Sequence, residues 1–264
     1  MKSTLDQIED IKNNGYTLDF SAVFNHAFEN FKKISLYSAL IILVFSFVFG
    51  IAIVGIIAAV YGAESISKEF FESLENQKLS YAQMLISTVG VSFVTALLAP
   101  FGAGFLKMAD CADKDEEFNV STIFTYYKAP YFAQLFTATL IIAAVSTAIS
   151  NALETIGFIF FGPAISACIN FFTYLSIPLI IFGNLKAIDA IKSSIIVVAR
   201  NPIMIFLVFL IGFIGSAVGF FACCVGILFT LVFNTSMTYA TYFAIFTVEE
   251  KEDSIDSIGR WDDM

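Results

Sequence analysis

The sequence predicts an all-α, polytopic membrane protein with six transmembrane helices, arranged as three hairpins and accompanied by amphipathic interfacial helices on the cytoplasmic side. Three observations carry that expectation. Of 264 residues, 58% are hydrophobic and 14% are charged, whereas about a quarter of a soluble domain is charged. Five runs contain no charge at all: 34–63, 79–106, 129–153, 155–185 and 201–248. Twelve of the 14 lysines and arginines lie on the side of these runs that holds both chain ends, which is the asymmetry expected of cytoplasmic segments.

In chain order, residues 1–17 are polar and read as loosely ordered, with Leu5, Ile8 and Ile11 able to form a short helical stripe. The segment 18–33 places Phe20, Val23, Phe24, Ala27, Phe28 and Phe31 three and four apart, one face of a helix lying on the membrane surface. Asp19 or Ser21 is the candidate cap. From Ile34 the chain is apolar all round, which a lipid surrounding rewards, so a spanning helix is expected to follow the surface one. About 20 residues cross the hydrocarbon. Four runs therefore hold one span each and the last holds two, giving spans at 34–62, 80–106, 131–153, 155–184, 202–221 and 226–248 within a membrane domain of 18–248. The last reversal is expected near Phe221 to Gly226, and the acidic tail comprises 249–264.

A threefold pattern runs through the chain. The segments 23–33, 123–134 and 190–202 each combine apolar stripes with cations just before a span. The even-numbered spans also share an ending, in FVTALLAP at 93–100, FFTYLSIP at 171–178 and LFTLVFNT at 228–235. Pro100 and Pro178 are expected to kink or end their helices. Thr95, Thr173 and Thr230 are expected to bond their own backbones.

These stretches, from LDFSAVFNHAFENFKK to GILFTLVFNTSMTYATYFAIF, resemble a broad group of uncharacterised six-helix bacterial membrane proteins. That group is similar to the membrane domain, not the catalytic domain, of glycerophosphodiester phosphodiesterases. The phenylalanine-rich, lysine-for-arginine style resembles a Bacteroidota inner-membrane protein. The resemblance implies an inner-membrane location and no catalytic residue; the group's closing proline is replaced here by Asn234-Thr235.

The functional residues are few. Polar side chains inside a span are the default place to look for function, and Asn170 and Asn234 fall near the middle of the fourth and sixth spans. They read either as an interhelical hydrogen bond or as a small polar site at the bilayer midplane. Glu154 is expected in a loop, and the acidic run Asp110, Asp113, Asp115, Glu116, Glu117 as a solvated one. Gly212, Gly215 and Gly219 form a small-residue face for close helix packing, inside the bundle or against a partner. Trp261 is a candidate anchor for a docking tail.

One histidine, His26, cannot assemble an iron centre of the kind membrane oxygenases use, and no GxSxG, HExxH or phosphate-loop pattern occurs. Neither an enzyme nor a bound cofactor or metal is expected. A net charge of -9 argues against nucleic acid. Cys111, Cys168, Cys223 and Cys224 lack metal-ligand spacing and read as free thiols. The opening residues lack the pattern of a cleavable leader, so the first span is expected to act as the insertion signal. The expected role is a non-enzymatic accessory or scaffold subunit of a larger membrane complex, for protein translocation or envelope assembly, touching lipid and other membrane proteins. The alternative is a lipid-handling or transport protein with a cavity around Asn170 and Asn234. The two differ in shape, a packed interior against an opening.

Overall fold

The computed structural model describes residues 3–62, 81–158, 160–221 and 225–246. Among them every regular element is helical. Five helical stretches are long and apolar enough to cross a membrane: Phe20–Ala59, Ala82–Asp113, Tyr131–Thr155, Phe161–Ile181 and Pro202–Phe220. The glutamate-rich loop 64–78, Cys223 and Cys224, and the tail with Trp261 lie outside the described residues, as does most of the expected reversal at 221–226.

Residues expected to be loosely ordered instead form helix α1, Thr4–Asn14. Ser3 and Asp6 satisfy each other's backbone N–H groups as a capping box. Ile8 and Ile11 are buried while Leu5 is exposed, so two members of the predicted stripe provide its docking face. Helix α2, Phe20–Tyr61, starts on Asp19, whose carboxylate accepts from the Ser21 and Ala22 N–H groups. It corrects the expectation of a surface helix joined to a separate spanning one, for the two are continuous. Residues 31–37 contain no glycine or proline to break the hydrogen-bond ladder. At 1.5 Å per residue it is about 63 Å long, roughly twice the hydrocarbon thickness.

Helix α3, Tyr81–Asp113, continues through Pro100 rather than ending there. It is closely approached at Gly104, where the backbone of Ile123 in the 3-10 helix Val120–Tyr127 lies against the glycine. Helix α4, Tyr131–Thr155, packs along α3 in the opposite direction. Asn151 donates to Thr88 at one level and Phe136 meets Phe93 at another. Glu154 is exposed, but in the last turn of α4 rather than in a loop.

The fourth expected span is interrupted. Helix α5, Phe161–Phe172, is followed by a turn at 173–175 and helix α6, Ser176–Ile181. Helix α7, Ala187–Arg200, comes next and packs on α1 and α6. Asp189 in its first turn and Arg200 in its last suit the helix dipole. Helix α8, Pro202–Ala217, opens on proline, which has no N–H to leave unpaired. The sixth expected span is likewise two pieces, α9 at Val225–Thr230 and α10 at Phe233–Ile245. Neither alone reaches spanning length, so among the described residues five stretches rather than six are long enough.

Both breaks fall at the repeated threonines, the first beginning with Thr173 and the second just after Thr230, whereas the helix carrying Thr95 is unbroken. Backbone freed inside hydrocarbon needs a partner, and in each case a serine from a neighbouring helix supplies it. Ser194 of α7 accepts from the Leu175 N–H and donates to the Phe172 carbonyl. Ser216 of α8 accepts from the Asn234 N–H, and its carbonyl accepts from Thr230. Pro178 lies within α6, so the break precedes it.

Packing is uneven. The lysine-bearing ends hold a dense core of Ile8, Ile34, Met108, Leu179, Val197 and Tyr242. At the other end Phe47 and Ile56 of α2 and Ile86 and Val89 of α3 are exposed. Only 6% of the most apolar stretch of α2 is buried, the surface a lipid solvent would cover.

Candidate functional site

Where α3, α4, α5, α8 and α10 face one another they leave a cavity of about 1220 Å³, open rather than enclosed. The sequence makes room for it: α3 presents Ala99, Gly102 and Ala103, α4 presents Ala143, and α5 presents Ala167, side chains too small to fill the gap. The lining of α3 runs from Thr95 to Leu106, about 16 Å of rise, and that of α4 lies near its middle, from Thr139 to Thr147. The cavity therefore sits within the length of the apolar helices, not at their ends.

Asn170 and Asn234 both line it, but they do not bond to each other. Asn170 donates to the Ser166 carbonyl one turn back on its own helix. Asn234 lays its Oδ1 against Gly212, 2.5 Å from where a Cβ would stand, and that oxygen has no hydrogen-bond partner. The Tyr174 hydroxyl, also in the lining, is likewise buried and unpartnered. The interhelical hydrogen bond expected between the two asparagines is thus not made.

The glycine face is turned inward. Gly212 receives Asn234, Gly215 receives the Phe233 ring, and Gly219 meets Thr230 and the backbone at Gly226 and Ile227. Gly212 and Gly215 on α8, and Gly219 in the 3-10 turn Val218–Phe221 that follows it, serve packing against α9 and α10. The expected threonine bonds form at Thr95 to the Val91 carbonyl and at Thr173 to the Ile169 carbonyl, both 2.8 Å. Thr230 makes the expected bond at 3.3 Å, to the Gly226 carbonyl, and a shorter one of 2.7 Å that crosses to the Ser216 carbonyl.

A feature that sequence reading overlooked is the face of α4. Thr139, Ala143, Ser146 and Thr147 all line the cavity. Their spacing of four, seven and eight residues is the signal that was available, since it places them on one helical stripe. Among the described residues none of the three hydroxyls is hydrogen-bonded to protein, nor is that of Thr235 across the cavity on α10.

The acidic run behaves differently from a solvated loop. Asp110 is 3% exposed and lies between the ammonium groups of Lys107 at 2.6 Å and Lys114 at 3.0 Å. Asp113 faces His26 Nε2 at 2.7 Å and accepts from the Tyr239 hydroxyl at 3.1 Å. Lys33 bonds Asp115 and the Ala112 carbonyl. These groups clamp α2, α3 and α10 together at the lysine-bearing end, and Asn30 reinforces the clamp by donating to the Ala109 carbonyl and accepting from Ser236. Nearby, burial pushes the Tyr126 and Tyr16 hydroxyls above the ordinary tyrosine range. Cys111 is a buried free thiol and Cys168 an exposed one. Among the described residues no three histidine, cysteine or carboxylate side chains converge as metal ligands.

Comparison with protein-family models, with curated proteins and with solved structures finds no match to this chain.

Proposed function

We propose that this chain is a lipid-handling membrane protein that holds an amphiphilic molecule in the cavity between α3, α4, α5, α8 and α10. The observation that carries the proposal is the cavity itself. A purely scaffolding bundle gains from filling its interior, yet about 1220 Å³ is left open beside four alanines and one glycine in the middle of apolar helices. Drug-sized sites run to about 1,000 Å³, so the space suits a lipid-sized guest. The setting in this proposal is a bacterial inner membrane with both chain ends in the cytoplasm, following the placement of lysine and arginine. The role is binding and passage rather than bond-making.

A second reading, an accessory subunit of a larger membrane complex, draws on the far half of α2, where Val44, Phe47, Ile51 and Ile56 are exposed. One purification separates the two. The full chain is extracted in mild detergent at native level and weighed intact by native mass spectrometry. A retained adduct of lipid mass, lost when Ala143→Trp fills the cavity, supports the first reading. A bare protein, or an adduct indifferent to Ala143→Trp, refutes it, and stable co-purification of other membrane subunits at fixed ratio moves the assignment to the second.

A further inference from the structure

Resting on the lipid-handling reading, we infer that the molecule this cavity takes is an uncharged lipid whose polar part is a hydroxyl or ester oxygen, not a phosphate-bearing one. Among the described residues, no aspartate, glutamate, lysine, arginine or histidine contributes to the lining. A charge brought to that depth without a partner is costly. Lys107 follows directly after the lining residue Leu106, but its ammonium is held by Asp110 at 2.6 Å, and Lys114 is engaged by the same carboxylate. A phosphate would compete with the buried Asp110 carboxylate for either ammonium.

What the lining offers instead is neutral hydrogen bonding. Serine and threonine in helices ordinarily return their hydroxyls to the carbonyl one turn back, and here Thr95, Thr173 and Thr238 do so at 2.8 Å. Thr139, Ser146 and Thr147 on one stripe of α4, and Thr235 opposite, do not. Each hydroxyl both donates and accepts, so the stripe answers a ligand hydroxyl and an ester carbonyl equally well. The alanines between these hydroxyls and the rings of Phe209 and Phe213 receive the apolar body.

Two probes with the same tails isolate the headgroup. Delipidated full-length protein in mild detergent is mixed with equimolar dioleoylglycerol and dioleoylphosphatidic acid, and native mass spectrometry reads the bound masses. The expected result is a preference of about tenfold or more for the neutral lipid, as desolvation of a phosphate demands. That preference is expected to fall severalfold in Thr139→Val/Thr147→Val, a nearly isosteric pair whose melting temperature is checked alongside. Equal binding, or a preference for phosphatidic acid, overturns the headgroup assignment while leaving a lipid site in place. Neutral-lipid preference unchanged in a folded double variant overturns the role of the α4 hydroxyls. Binding of neither probe, with no effect of Ala143→Trp, overturns the lipid-handling reading itself.

Discussion

Two glycines on one helix should respond to the same substitution in opposite directions. An alanine Cβ at Gly104 would stand 2.6 and 2.7 Å from the Cα and carbonyl carbon of Ile123, and nearer still to its oxygen. Comfortable carbon–carbon contact is about 3.5–4.0 Å, so α3 and the 3-10 helix must separate by roughly 1 Å. The obstacle is backbone, and Ile123 is fully buried, so no rotamer change relieves it. Overpacking of this kind costs about 1–3 kcal/mol, offset by at most about 1 kcal/mol because alanine favours the helix. At Gly90, also in α3, the same Cβ meets nothing within 4 Å, so only the favourable part remains. Gly104→Ala should therefore be about 2 kcal/mol less stable than Gly90→Ala. On the scale of proteins of 150–250 residues that is roughly 4–8 °C in melting temperature, read by intrinsic fluorescence or light scattering of the detergent-purified chains. A Gly104→Ala protein that melts with or above Gly90→Ala would refute the close-approach argument.

Other outcomes follow from the clamp and the loop residues. Asn30 is 2% exposed and ties three helices through Ala109 and Ser236; Asn30→Leu strands both partners and should cost about 1–3 kcal/mol, seen as a lower melting temperature than that of exposed Asn13→Leu. His26 and Asp113 are about one-third exposed, so His26→Ala should cost no more than about 1 kcal/mol by the same measurement; a larger loss would show that the pair is shielded from water. Tyr16 donates to the Val197 carbonyl at 3.1 Å, and burial raises its folded-state pKa above the unfolded value. Its contribution is therefore complete below the unfolded tyrosine pKa of about 10 and is lost as pH rises above it. Tyr16→Phe should be less stable near neutrality, with the gap to wild type narrowing in alkaline melts; a pH-independent gap would exclude ionisation of Tyr16.

The spans were legible because absence of charge is a local property, and a run such as 129–153 announces α4 without help from the rest of the chain. Asp19 and the two threonines Thr95 and Thr173 were legible for the same reason, since each bond lies within a single turn. What escaped were relations across the chain. Nothing local to Asp113 says that His26, 87 residues away, will face it. Nothing in the polar N-terminal segment says that Ile8 and Ile11 have a docking site prepared by α7. The cavity belongs to no segment, since it is the volume that five helices fail to fill, and Asn170 and Asn234 pointed to its place while suggesting the wrong contact.

The two serines at the helix breaks have a mechanical meaning. Ser216 completes a turn that the chain itself omits, taking the Asn234 N–H where an unbroken helix would have used the Thr230 carbonyl. Prying α8 from α10 would leave that N–H bare in oil. Asn234, Thr235 and Thr238 lie on this joint, so this wall of the cavity behaves as a fixed doorpost. Ser194 does the same for the turn between α5 and α6. These two joints hold the wall of the cavity built by α5, α8 and α10 in one shape.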